Sequence, residues 1–132
     1  MKDSILTDAH AFPSFSVDDI GKARTFYHDT LGLQVDERPE GLEINVGGGN
    51  KVFVYGKTDH KPASFTILNF PVDNVETAVT RLKETGIKFE QYDMPGIKTD
   101  ARGISQSAEG PAVAWFKDPA GNILSVLQPR AD

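Results

Sequence analysis

Phe15-Ser16-Val17-Asp18-Asp19-Ile20 returns as Phe70-Pro71-Val72-Asp73-Asn74-Val75, fifty-five positions further along the chain. Ala23 meets Ala78 at the same offset, and Gly32 meets Gly86 one position short of it. Similarity at a fixed period marks two copies of one supersecondary unit, each too small to bury its own apolar face. In the first copy, alternation over Ala11–Val17 predicts a strand with Phe15 and Val17 on one face and Phe12, Ser14 and Ser16 on the other. Asp18 or Asp19 can accept the first free N–H groups of a helix as its N-cap. Ile20, Ala23, Phe26, Tyr27 and Leu31 then recur at helical spacing, and Gly32 stands where a left-handed residue closes the last turn.

Short extended runs follow at Leu33–Asp36, Leu42–Val46 and Val52–Tyr55, the last two joined by Gly47-Gly48-Gly49-Asn50. The second copy predicts a strand at Ala63–Phe70 and a helix with Val75, Ala78, Val79 and Leu82 inward that stops at Gly86. Strands at Lys88–Gln91, Ala112–Lys117 and Asn122–Gln128 complete it. Asp118-Pro119-Ala120-Gly121-Asn122 is a hairpin turn, in which proline presets φ and glycine accepts a positive φ. Tyr92–Gly110 is rich in glycine and polar residues, long for a structureless connection, and reads as a lid or mobile loop. The expectation is a single α+β domain over residues 1–132, with βαβββ modules at 11–58 and 63–128 and the long loop at 92–110. Two such modules set side by side form a curved, cup-shaped mixed sheet with the helices outside, and a small ligand fits the concavity.

The chain has 132 residues, enough for one core without staples. It has no cysteine, which removes disulfides, thiolate nucleophiles and cysteine-held metal sites. A formal net charge of −5 offers no basic field to nucleic acid or an anionic membrane. Met1–Ala9 lacks the apolar stretch of a signal peptide, and no apolar run reaches the roughly 18 residues of a membrane helix. A soluble, cytoplasmic protein with a small-molecule partner, no nucleic acid and no membrane is expected.

Val17-Asp18-Asp19-Ile20, followed by Ala23, Phe26-Tyr27 and Leu31-Gly32-Leu33, resembles the opening signature of glyoxalase/bleomycin-resistance domains, the vicinal oxygen chelate (VOC) superfamily. Trp115-Phe116-Lys117-Asp118-Pro119-Ala120-Gly121-Asn122 resembles the closing one, and the likeness runs from about Ala11 to Gln128. The resemblance implies the cup-shaped sheet and frequent homodimers. In the family's lyases, isomerases and dioxygenases it also implies a divalent metal that chelates vicinal substrate oxygens as a Lewis acid or activates dioxygen. The ligands there are usually His and Glu from the first and last strands of each module. Carried over position by position, those places fall on Phe12, Ile67 and Ser125, and on Phe53 in the strand ending the first module. Phe12, Phe53 and Ile67 offer no lone pair and a lone neutral serine is a poor ligand, so the family's metal is not expected.

Other chemistry has few candidates. His10 shares the face of Phe12, and a His10–Glu43 pair is the alternative divalent-metal site, thin at two ligands. His28 reads as a helix-surface residue and His60 as part of a polar loop. Tyr55, His10 and Glu43 are the acid–base candidates, with nothing in their spacing to single out a pair. Ser14, Ser16 and Ser125 lack the G-x-S-x-G context of an activated nucleophile. No helix follows Gly47–Gly49, so those glycines read as a hairpin turn and not a phosphate cradle. Lys98 and Arg102 on the long loop either reach an anionic ligand or stay solvated.

Carried over with the resemblance, the inward positions are Phe12, Ser14, Ser16, Phe53, Tyr55, Phe65, Ile67, Asn69, Ile123, Ser125 and Leu127, with Trp115 beside them. That lining suits a flat hydrophobic or aromatic molecule held by stacking, oriented by the hydroxyls and the amide, with no cofactor. The same aromatics can instead fill the cup as a second core. Two functions stay open: metal-free binding of a small hydrophobic or aromatic molecule, and a VOC-type metalloenzyme with a displaced site. Whether the protein is catalytic is open with them.

Overall fold

The repeat builds two four-stranded sheets of the same pattern, an α+β arrangement as expected. The computed structural model describes residues 5–106 and 110–129. In the first sheet β1 (Ser14–Val17) leads to helix α1 (Ile20–Arg24), which runs directly into a π-helical turn (Thr25–Thr30). Then come β2 (Gln34–Arg38), β3 (Gly41–Val46) and β4 (Asn50–Gly56). Their order is β1-β4-β3-β2, with β1 parallel to β4 and the other pairs antiparallel. The second copy contains β5 (Thr66–Pro71), α2 (Val75–Glu84), β6 (Asp93–Met94), β7 (Ile97–Lys98), β8 (Ile104–Ser105), β9 (Ala112–Lys117) and β10 (Ile123–Gln128). Its curved sheet runs β5-β10-β9-β8, again with one parallel pair between its first and last strands.

Local signals act where the sequence puts them. Asp19 caps α1 by accepting the Lys22 N–H at 3.0 Å, and Asn74 caps α2 by accepting that of Thr77 at 2.9 Å. Gly32 and Gly86 take φ of +74° and +97° just past the two helical segments. The first strand starts at Ser14 and not Ala11, because Pro13 has no N–H and contributes only its carbonyl, to Phe53 N–H.

The larger departure is at the far edge of the second sheet. Lys88–Gln91 is not a full strand: Phe89 bridges Phe116 and Glu90 N–H donates to the Trp115 carbonyl, and the chain then leaves. It returns as β8, with Ile104 opposite Ala114. One edge strand is therefore split, and residues 91–103 are an excursion spliced into it. The excursion holds the β6–β7 hairpin, and Asp100 gathers the N–H groups of Arg102 and Ile104. Gly103 closes the splice at φ +90°, where a Cβ would lie 2.8 Å from the Cβ of Phe89. The stretch read as a lid or mobile loop thus carries its own hairpin and strand. Its residues 107–109 lie outside the described residues.

One core serves both sheets. Val17, Ala23, Tyr27, Ile44 and Val54 of the first copy join Val79, Ile104, Phe116, Leu124 and Val126 of the second. Phe26 packs edge-on to Tyr27 at 5.1 Å and continues to Phe116 at 6.5 Å, which carries the aromatic contact from one copy to the other. Both helices cover this side, so the opposite sheet faces are left for a ligand.

The junction is fixed by a buried polar cluster. The Asp118 carboxyl, 4% exposed, accepts four hydrogen bonds. Tyr27 Oη–H and Asn122 Nδ2 reach Oδ2 at 2.7 and 3.0 Å, and the backbone N–H groups of Ala120 and Asn122 each reach Oδ1 at 2.9 Å. Asn122 Nδ2 also donates to the Ser16 carbonyl at 2.9 Å, which ties the turn to β1. Burial, then the Asp118 charge and hydrogen bond, push the Tyr27 pKa far above the usual tyrosine range. The unfolded side chain ionises at about pH 10, so the contribution of this hydroxyl is full below that pH and declines as pH rises above it. Tyr27→Phe should cost about 1–3 kcal/mol in urea unfolding at neutral pH. Its stability should also fall less steeply than the parent's above about pH 10. Equal stability of the two proteins at neutral pH would show that the hydroxyl does not hold the junction.

Candidate functional site

On the faces turned away from the core, β1 and β5 are facing sheet edges with open space beside them. A cleft of about 690 Å³ is lined by His10, Phe12, Glu43, Lys51, Phe53 and Leu68 among others. A second, of about 410 Å³, is lined by Ser14 and Ser16 of β1, Tyr55 of β4, Phe65 to Leu68, and the connection residues His60 and Lys61. Pro13, Val52 and Leu68 border both. The rings of Phe53 and Tyr55 stack at 6.4 Å and 19°, one lining each cleft, so a single aromatic wall runs from one to the other. Phe12 and Phe65 stand 65% and 67% exposed at the margins, so they do not close over the space as a second core.

Asn69, Ser125 and Trp115 stand in one row across β5, β10 and β9, on the sheet face opposite the core residues Phe116 and Leu124. In the β5–β10 pair Ile123 lies opposite Thr66 but Leu124 lies opposite Leu68, so Ile67 is an extra residue, a bulge. The bulge presents Thr66 to Trp115, whose indole N–H it accepts at 3.1 Å, and Tyr92 packs edge-on to the same indole. Ser125 is fully buried and donates to Asn69 Oδ1 at 2.6 Å. Trp115, Asn69 and Ser125 border neither cleft. Phe12, Ser14, Phe53, Tyr55, Phe65 and Ile67 do, and the structure adds Thr66, His60 and Lys61, which sequence reading left out.

His60 is not a free loop residue. Its Nε2 lies 3.1 Å from the Ala120 carbonyl, which can only accept, so the ring proton is assigned there. Nδ1 then accepts the Ser16 hydroxyl at 2.6 Å. His28 is exposed beside Asp29, as expected for the helix surface. Arg102 is held by Asp100 and Glu76.

The donor set does not fit the metal that the resemblance implies. Of the four ligand places, Phe12 and Phe53 border the larger cleft, Ile67 the smaller, and Ser125 is buried on Asn69. Glu43 lines the larger cleft with His10 but is already bonded to Arg38 and Lys51, each at 3.1 Å. Among the described residues no group of three or more His, Asp or Glu side chains is placed to hold a metal ion. No helix among them is long and apolar enough to cross a membrane.

The sequence model of the Glyoxalase/Bleomycin resistance protein/Dioxygenase superfamily matches residues 9–126. Among solved structures, TnmS3, an antibiotic binding protein from Streptomyces sp. CB03234, is similar at 25% identity and a TM-score of 0.64, covering 93% of this chain and 98% of that one. A glyoxalase family protein from Enterococcus faecalis matches at 20% identity and TM-score 0.64, over 94% of this chain and 100% of that one. The fosfomycin resistance protein FosX from Listeria monocytogenes matches at 10% identity and TM-score 0.68, over 98% and 96%. The last two likenesses are of fold alone. No curated protein sequence matches the chain.

Hydrogen bonds from Lys51 and then Arg38 hold the Glu43 carboxyl below the usual carboxylate range. The pair therefore contributes above the unfolded carboxylate pKa and is lost as pH falls through the lowered folded value. In Glu43→Gln the acid limb of the stability curve should flatten; an unchanged limb would show that the carboxylate is not engaged in solution.

Proposed function

The chain belongs to the Glyoxalase/Bleomycin resistance protein/Dioxygenase superfamily, and we propose that it binds a small hydrophobic or aromatic molecule in its cup without a metal. The observation that carries this is the stacked Phe53–Tyr55 wall shared by two adjoining clefts, with Phe12 and Phe65 exposed at the margins. Apolar rings in a concave surface supply area burial and stacking, worth about 0.5–1.5 kcal/mol per aromatic pair beyond area. Ser14 and Tyr55 add hydroxyls that fix orientation. The neighbour TnmS3 is an antibiotic binding protein, which supports a reading of the same kind here. The donor chemistry at Phe12, Phe53, Ile67 and Ser125 is consistent with binding that does not pass through a chelated metal.

The lone Trp115 bonds to Thr66, which lines the smaller cleft, so its fluorescence reports on occupancy. Titration with naphthalene and quinone compounds should give a saturable change in emission, and Phe53→Ala should weaken the best binder about tenfold. No saturable binder across such a panel would sink the proposal. Incubation with zinc, nickel, manganese and iron(II), followed by desalting, should leave no stoichiometric metal. One equivalent retained by the parent and lost in His10→Ala or Glu43→Ala would establish the displaced metal site in its place.

A further inference from the structure

The protein has a formal net charge of −5, yet among the described residues no carboxylate lines its smaller cleft. The ammonium there is Lys61, which has no ion-pair partner among the described residues. Its neighbour on the same connection, Lys57, is by contrast taken by Asp59. The hydroxyls of Tyr55 and Ser14 line the same cleft and are likewise uncommitted. Ser16 is not available, because its proton goes to His60 Nδ1. What faces the cleft is therefore a surplus of donors: an ammonium, which can only donate, and two hydroxyls. The larger cleft points the same way, since its one carboxylate among the described residues, Glu43, is matched by two cations, Arg38 and Lys51. Both clefts are thus locally neutral or positive on an acidic molecule, against the field of the whole.

Resting on the binding reading above, we propose that the ligand is an aromatic acid, with its ring on the Phe53–Tyr55 wall and its carboxylate at Lys61. The wall supplies affinity that is indifferent to charge, and Lys61 selects the anion with a charge-assisted hydrogen bond. A ring lying beside that bond excludes water from one side, which strengthens it over an ordinary exposed pair.

Naphthalene-2-carboxylate and naphthalene-2-carboxamide have nearly the same shape and differ in charge. Calorimetric titration of the parent protein should show the carboxylate binding about tenfold tighter. Raising the salt concentration should shrink the difference. In Lys61→Met the preference should vanish while the carboxamide binds as before. Lys61 is exposed and makes no hydrogen bond or ion pair among the described residues, and an unchanged thermal unfolding midpoint checks that the variant keeps the fold. Equal affinity of the two probes for the parent overturns the anion assignment and leaves the binding reading standing. Binding of neither probe while another compound of the panel binds overturns the anion assignment alone, and no binder at all overturns both. A preference that survives Lys61→Met and disappears in Lys51→Met overturns the assignment to the smaller cleft.

Discussion

A buried carboxyl with four donors is the constraint on which the arrangement rests. An unpaired charge in an interior is costly, so Asp118 is tolerated only with Tyr27, Asn122 and two backbone N–H groups all in place. Those donors come from different parts of the chain. Tyr27 belongs to the first copy and the rest to the turn of the second, and Asn122 reaches on to β1. Satisfying one acid therefore sets how the two copies meet. It also explains why the aromatic contacts Phe15–Tyr27, Phe26–Tyr27 and Phe26–Phe116 cluster beside it.

With the helices and core on one side, the other side of each sheet is left free, and the edge strands β1 and β5 border one cleft. His60 bonds to Ser16 on β1 and to Ala120 in the turn, so the connection between the copies is fastened at the rim of the smaller cleft. The same two bonds decide which hydroxyls remain for a ligand. Structure and binding chemistry are thus set by the same few groups: a histidine that closes the rim also removes Ser16 from the donors and leaves Tyr55, Ser14 and Lys61.

The family fold is retained here with a lining that departs from chelation. Phe12, Phe53, Ile67 and Ser125 stand at the places to which the resemblance carries the metal ligands, and Glu43, which lines the larger cleft, is bonded to two cations. Such a lining offers stacking and area burial, the terms on which the proposed binding rests.

The sequence by itself determined the repeat, the caps at Asp19 and Asn74, the helix stops at Gly32 and Gly86, and the opposite faces of β1, because these follow from local periodicity and backbone preference. It also placed Phe12, Ser14, Phe53 and Tyr55 on the open face, since strict alternation holds through β1 and β4. It did not show the bulge at Ile67, which turns Thr66 to Trp115, or the split edge strand, because pairing partners far apart in sequence leave no local mark. His60 came to the cleft through bonds to Ser16 in one copy and Ala120 in the other, and Thr66 through the bulge that turns it to Trp115. Periodicity fixes which face a side chain takes; only tertiary packing decides which faces meet, and which donors are still free when they do.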